Sequence, residues 1–190
     1  MKTNLPFRRE FSAGGVVYKM PETRSQTPET RYQKPEILLG KHSGYHKWVL
    51  PKGLIEKGER GWQTAIRETE EEMGVKAKLV SDKPIHRETY FYVADFKKPL
   101  SEETIQFAQV RKRDQSTRRV VTYQEEGGGK TKVFKTVTFY LMEYVSGDPA
   151  DHGWEMSQAG WFEYNEALKI LAFEGEKEAL RKAKATLDKI

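Results

Sequence analysis

Residues 53–75 read GLIEKGERGWQTAIRETEEEMGV, a stretch with six glutamates in a chain whose formal net charge is +5. Four of the six, Glu68, Glu70, Glu71 and Glu72, fall within five positions. Like charges that close repel one another and weaken a helix unless something positive settles among them. The periodicity nevertheless predicts a helix from Gly61 to Met73: Trp62, Ala65, Ile66, Thr69 and Met73 fall on one side at about 100° per residue. Gly74 supplies the expected stop just past the last turn. On such a helix Glu68, Glu71 and Glu72 stand at i, i+3 and i+4 and share one face, while Glu70 points elsewhere.

That acidic face borders the apolar stripe, so its carboxylates belong at the edge of a core. Three carboxylates gathered there resist ionising together, and their pKa values should rise. A divalent cation removes the conflict, because Mg²⁺ or Mn²⁺ prefers oxygen ligands and keeps waters for chemistry. A run of glutamates taken alone reads more simply as a solvated acidic face. The residues around the run decide between the two.

Working outward, EFSAGGVVYK at residues 10–19 reads as a strand whose Ser12-Ala13-Gly14-Gly15 segment allows close backbone approach. EILLG at 36–40 and Trp48-Val49-Leu50 read as further strands, the latter ending in a turn at Pro51-Lys52-Gly53. Val75, Ala77 and Leu79 alternate with Lys76 and Lys78, as a strand resuming at once after the helix would. Residues 85–95 and 132–145 are aromatic-rich strands. From Asn165 to Lys189 the pattern is an amphipathic helix with Leu168, Leu171, Leu180 and Leu187 inward and a break near Glu174-Gly175. Two polar stretches, at about 20–36 and 96–131, read as loop insertions; the first repeats Pro-Glu-Thr-Arg, the second carries RKRDQSTRR and EEGGGK. The expected fold is an α/β sandwich with a mixed sheet, the glutamate helix and a C-terminal helix, formed by one domain over residues 1–190.

Composition sets the outer limits. There is no cysteine, so thiolate metal sites, disulfides and cysteine nucleophiles are excluded, and a cytoplasmic setting is the expectation. No apolar run approaches the roughly 20 residues needed to span a bilayer, and MKTNLPFRREF lacks a signal-peptide core. The basic balance favours an anionic partner.

Gly53, Glu59 and the segment Arg67-Glu68-Thr69-Glu70-Glu71-Glu72-Met73-Gly74-Val75 keep the spacing of the Nudix box along all 23 residues. The chain therefore resembles a Nudix hydrolase. Its one departure is Thr69, where an aliphatic residue is usual; the position lies on the core stripe, where a short β-branched side chain fits. The resemblance implies a loop–helix–loop that binds divalent metal and hydrolyses a nucleoside diphosphate linked to another group. By position, Gly53 through its carbonyl, Glu68, Glu71 and Glu72 would hold Mg²⁺ or Mn²⁺. Arg67 would pair with Glu59 and orient the carboxylates, and Glu68 serves as the general base in some relatives. The positive partner of the glutamates is then the metal itself, which neutralises phosphoryl oxygens and acidifies water.

The flanks narrow the substrate. WVLPKG at 48–53, FKTVTFYL at 134–141, Trp154-Glu155 and AGWF at 159–162 resemble the bacterial asymmetrical diadenosine tetraphosphate hydrolases, as does EFSAGGVVYK. WVLPKG is similar also to the diphosphoinositol polyphosphate branch. The resemblance implies Glu155 as an additional metal ligand or base. Lys52 and Lys135 are candidates for phosphate contacts, since a mobile ammonium suits that role, though each could be a plain surface lysine. Tyr90 and Tyr92 share one strand face and are candidates for stacking an adenine, with core packing the commoner fate of such rings. His42, His46, His86 and His152 have no metal-ligand spacing. Three readings remain open: hydrolysis of dinucleoside polyphosphates to ATP and AMP; pyrophosphohydrolysis of an inositol pyrophosphate or an RNA 5′ end; and a Nudix-fold module that binds nucleotide or RNA without cleaving it. The expected partner is a small-molecule polyphosphate, with no membrane and with nucleic acid as the lesser alternative. The basic run Arg111-Lys112-Arg113 with Arg118-Arg119 is the chief departure from a compact diadenosine hydrolase. The intact set Glu68, Glu71 and Glu72 favours an enzyme.

Overall fold

The computed structural model describes residues 7–21, 34–95 and 130–189. The basic run at 111–119 and nearly all of the two expected insertions lie outside the described residues. The chain forms two compact units: one from residues 1–12 and 88–137, the other from residues 13–87 and 138–190.

The described residues hold eight strands and three α-helices, with a 3-10 turn at Pro149–Asp151. These are β1 (Phe7–Lys19), β2 (Glu36–His42), β3 (Trp48–Val49), β4 (Lys52–Leu54), α1 (Gly61–Met73), β5 (Val75–Leu79), β6 (His86–Asp95), β7 (Lys130–Gly147), β8 (Met156–Glu163), α2 (Tyr164–Ile170) and α3 (Glu174–Leu187). In the larger unit the strand order is β3-β2-β1-β7-β5, with β8 pairing β2 and β4 pairing β1. β2 and β8 pair antiparallel from Glu36 opposite Glu163 to His42 opposite Met156, with an irregularity at Lys41/His42. β5 runs antiparallel to the end of β7, Val75 facing Gly147. In the smaller unit the hydroxyls of Thr89 and Thr136 approach to 3.3 Å across β6 and β7. The α/β class expected from the sequence is the observed one. Among the described residues no helix is long and apolar enough to cross a membrane.

The glutamate helix has the bounds its periodicity predicts, and Gly74 ends it in the left-handed region at φ 66°, its N–H bonding the Glu70 carbonyl at 3.0 Å. At the other end Gln63 Oε1 accepts the Arg60 N–H at 2.9 Å, satisfying a backbone donor at the helix start. Ala65, Thr69 and Met73 are buried in a cluster with Ala13, Val17, Leu38, Val49, Val75 and Met142, or in contact with it. Thr69 is accommodated because its hydroxyl donates to the Ala65 carbonyl one turn back, at 2.8 Å, so no polar atom is stranded in the core.

Two local expectations change. Lys52–Leu54, read as part of a turn, is a short strand beside β1. The cause is the glycine pair: the Gly15 N–H bonds the Pro51 carbonyl at 3.1 Å, and a Cβ on Gly14 would collide with that same oxygen. The break in the C-terminal helix falls at 171–173, before Glu174 rather than at it. There the Ala172 N–H leaves the helix to bond the Trp48 carbonyl at 3.1 Å, and Glu174-Gly175 opens α3.

Candidate active site

The segment from Leu50 to Glu59, which includes β4, and the C-terminal two-thirds of α1 bring the box residues together. Arg67 is their hub. Its Nε donates to Glu59 Oε1 at 2.8 Å and its Nη2 to Glu59 Oε2 at 3.1 Å, a bidentate fork. Its Nη1 donates to Glu68 Oε1 at 2.7 Å and to Glu71 Oε2 at 2.9 Å, and its Nη2 also reaches the Leu54 carbonyl at 3.2 Å. The Arg67–Glu59 pair is the one the sequence suggests; the grip on Glu68 and Glu71 is additional. Three carboxylates against one guanidinium leave two negative charges uncompensated, the charge of one divalent cation.

Glu59 is itself fixed from three sides. Besides Arg67 it accepts the Thr64 hydroxyl at 2.7 Å and the Glu56 N–H at 3.1 Å. These bonds, Arg67's first, hold its carboxyl down at about 2. Thr64 is a supporting residue that the spacing argument passed over, although it sits five positions after Glu59 on the helix.

The other carboxylates go the opposite way. Glu72 is buried, and burial pushes its carboxyl up to about 8 despite the Lys52 charge and the Lys52 N–H that donates to Oε2 at 2.8 Å. Burial likewise raises Glu68, with Glu71 and Glu155 pushing the same way and Arg67 opposing. In Glu68 and Glu72 the expected rise is therefore present, and its larger cause is desolvation. Gly53 lies flat against the Glu68 carboxylate, where any Cβ would run into it. The donor set, three carboxylates of one helix face beside the close-lying Gly53, is all oxygen and fits Mg²⁺ or Mn²⁺. Among the described residues no three acidic or histidine side chains are already gathered as a cation cage. Arg67 occupies Glu68 and Glu71 instead, so a cation would have to share or take over those oxygens.

Lys52 points to a residue that the motif did not reveal. Its Nζ lies 3.3 Å from Oε1 of Glu176 on α3, and Glu176 Oε2 accepts the Leu50 N–H at 3.3 Å. Glu176 is fully buried. Burying a carboxylate costs several kcal/mol unless a cation and donors compensate it, and Lys52 and Leu50 supply both. The signal was available: Glu176 sits at i to Ala179, Leu180 and Ala183, one charged side chain on an apolar helical stripe.

Glu155 precedes β8, in a loop secured at both ends. The Ser43 N–H and hydroxyl donate to the Glu155 carbonyl at 2.8 and 2.9 Å, and the Gly153 N–H donates to the Glu72 carbonyl at 3.1 Å. Tyr90, Tyr92 and Lys135 belong to the smaller unit. Both rings are buried there; the Tyr92 hydroxyl donates to Glu10 Oε2 at 2.7 Å, and Lys135 Nζ lies 3.8 Å from the same oxygen.

His42, beside Ser43, makes stability depend on pH. Its ring stacks on Tyr45 at 3.8 Å between centroids, and Nδ1 accepts the Gly44 N–H at 2.9 Å, which requires that nitrogen unprotonated. Burial, then the charges of Lys52 and His46, lower its pKa to about 4. The unfolded chain binds the proton first, so stability is lost as pH falls from about 6.5 towards 4. His42→Asn keeps an acceptor for the N–H two residues on. Denaturant melts at pH 7.5 and 4.5 should show wild type losing about 1–2 kcal/mol more than this variant, a figure discounted for partial exposure. Equal losses would remove His42 as the cause.

A helix carrying these carboxylates, a glycine loop beneath them and an arginine locked to an upstream glutamate define a Nudix-type site. The chain belongs to the Nudix family: the NUDIX domain profile matches residues 29–183. A Mycobacterium tuberculosis protein bearing the name MutT4 is 28% identical over 143 residues, 75% of this chain and 43% of that protein. The asymmetrical bis(5'-nucleosyl)-tetraphosphatase of Sus scrofa is 51% identical over 41 residues, 22% of this chain and 28% of that protein. The chain thus spans less than half the length of either curated relative. A solved C. elegans Ap4A hydrolase binary complex superimposes with a TM-score of 0.58 at 25% identity, covering 95% of this chain and 99% of that one. These two tetraphosphate hydrolases are animal proteins, whereas the flanking motifs resemble the bacterial ones.

Proposed function

We propose that the protein is a divalent-cation-dependent pyrophosphohydrolase acting as a single domain on dinucleoside polyphosphates, cleaving diadenosine tetraphosphate asymmetrically to ATP and AMP. The observation that carries this reading is the face of Glu68, Glu71 and Glu72 over Gly53, with Arg67 keyed to Glu59. Names borne by a relative and a solved structure support the choice of substrate.

Mg²⁺ or Mn²⁺ held by Glu68, Glu71, Glu72 and the Gly53 carbonyl would neutralise the phosphoryl oxygens and acidify water. The chain's own residues do the rest. Arg67 keeps Glu68 and Glu71 turned to one side, and Glu59 keeps Arg67 in place. Glu68, whose carboxyl burial makes more basic, takes the proton of the attacking water; Glu155, whose charge reaches Glu68 and Glu72, is the second candidate for that role. Lys52, on the strand that carries Gly53, offsets phosphate charge.

A site that grips one end of a symmetric substrate does not also centre its reactive groups on the midpoint. Hydrolysis of diadenosine tetraphosphate in ¹⁸O-labelled water should therefore give ATP and AMP, with label in one product only. ADP as sole nucleotide product, or no cleavage beside rapid turnover of an inositol pyrophosphate, would replace this reading.

A further inference from the structure

We propose that Trp154 is the stacking platform for a nucleobase of the substrate, displayed at the rim of the carboxylate face. Trp154 is 85% exposed, and among the described residues of the larger unit it is the one aromatic residue in the exposed large hydrophobics. Tryptophan is highly buried on average, so a ring left almost wholly in water calls for a reason.

The backbone on both sides of the ring is fixed. Ser43 Oγ donates to the Trp154 carbonyl at 3.3 Å and to the Glu155 carbonyl at 2.9 Å. The Gly153 N–H is held by the Glu72 carbonyl, and the Met156 N–H by the Gly153 carbonyl, each at 3.1 Å. Gly153 lies so close to α1 that a Cβ there would collide with the Glu71 carbonyl. The ring is thus held out from a braced loop, one residue from Glu155 and within one hydrogen bond of the helix bearing Glu71 and Glu72. A loop braced in advance has no backbone left to order when a ligand lands on its side chain.

The occupant follows from chemistry. A polyphosphate over the carboxylate face leaves its attached group at the rim, and an exposed indole offers a flat π face on which a nucleobase stacks. Tyr90 and Tyr92 are 7% and 3% exposed, so they offer little open ring face for that purpose. The inference rests on the nucleotide reading above, and its test separates the two.

The test uses the whole protein with AMP as the binding probe and two substrates, diadenosine tetraphosphate and base-free inorganic tripolyphosphate. AMP should quench tryptophan fluorescence in wild type; Trp154→Phe should lose the quenching but bind AMP within a few-fold, since phenylalanine still stacks. Trp154→Ala should weaken AMP binding and raise KM for diadenosine tetraphosphate about 5- to 150-fold, the range that base stacking supplies. The preference in kcat/KM for diadenosine tetraphosphate over tripolyphosphate should fall by the same factor. Unchanged AMP affinity and KM in Trp154→Ala would overturn the proposal while leaving the hydrolase reading intact. An equal loss on tripolyphosphate would overturn it too, by making Trp154 a support for the loop. Loss of AMP quenching without cleavage of diadenosine tetraphosphate would keep the platform and retire the substrate.

Discussion

Glu72→Gln should lower turnover at least about 100-fold, a loss of roughly 3 kcal/mol of transition-state stabilisation, and leave the fold intact. The two halves of this expectation come from one fact. Burial pushes the Glu72 carboxyl up to about 8, so without a cation at neutral pH the fold already favours the uncharged form. A neutral amide imitates that form and can still accept the Lys52 N–H, so thermal stability in chelator should be equal to wild type or higher. An amide is a poor substitute for an ionised ligand, however, and the stabilisation that wild type gains from added Mn²⁺ should shrink. Glu71→Gln should lose activity for the same reason. Glu70→Gln is the control: Glu70 is half-exposed on the other side of the helix, 3.5 Å from Lys76, and its loss should be nearly silent. Turnover of Glu72→Gln within twofold of wild type would remove Glu72 from the ligand set.

Arg67→Lys should destabilise the protein by about 2–3 kcal/mol in chelator, below the 3–5 kcal/mol of a fully buried pair because the guanidinium is a quarter exposed. At this chain length that is a Tm lower by about 4–12 °C. Charge is retained, so the loss is one of geometry: an ammonium cannot fork to Glu59 while reaching Glu68 and Glu71. The orphaned carboxylates then repel one another, and a divalent cation is the natural relief. Mn²⁺ should raise the Tm of Arg67→Lys by more than it raises that of wild type, where Arg67 competes for the same oxygens. An unchanged Tm, or a smaller Mn²⁺ response in the variant, would count against Arg67 as counter-ion to the site.

The question posed by the glutamate run thus has a nearer answer than the sequence suggests. Within the folded chain the positive charge among Glu59, Glu68 and Glu71 is Arg67. Its reach to Glu71 is legible as an i, i+4 pair, but the bond to its neighbour Glu68 is not, because adjacent residues on a helix do not ordinarily face each other. The helix itself was readable to the residue, since amphipathic period and terminal glycine agree. The break before α3 was not, because the bond from Ala172 to Trp48 that makes it joins residues far apart in the chain. Ser43, which secures the loop of Trp154 and Glu155, left no mark either: a serine in a turn has a local use that hides a distant one.

The bond between Leu50 and Glu176 spans 126 positions. At about 5–20 residues per second, a ribosome delivers Glu176 roughly 6–25 s after the loop that needs it. For most of that interval the box helix and its glycine loop have been made, yet Lys52 lacks the buried carboxylate it faces in the finished fold. A nascent or nicked chain ending before α3 would hold every residue of the motif and still lack the Glu176 anchor of its phosphate-side loop.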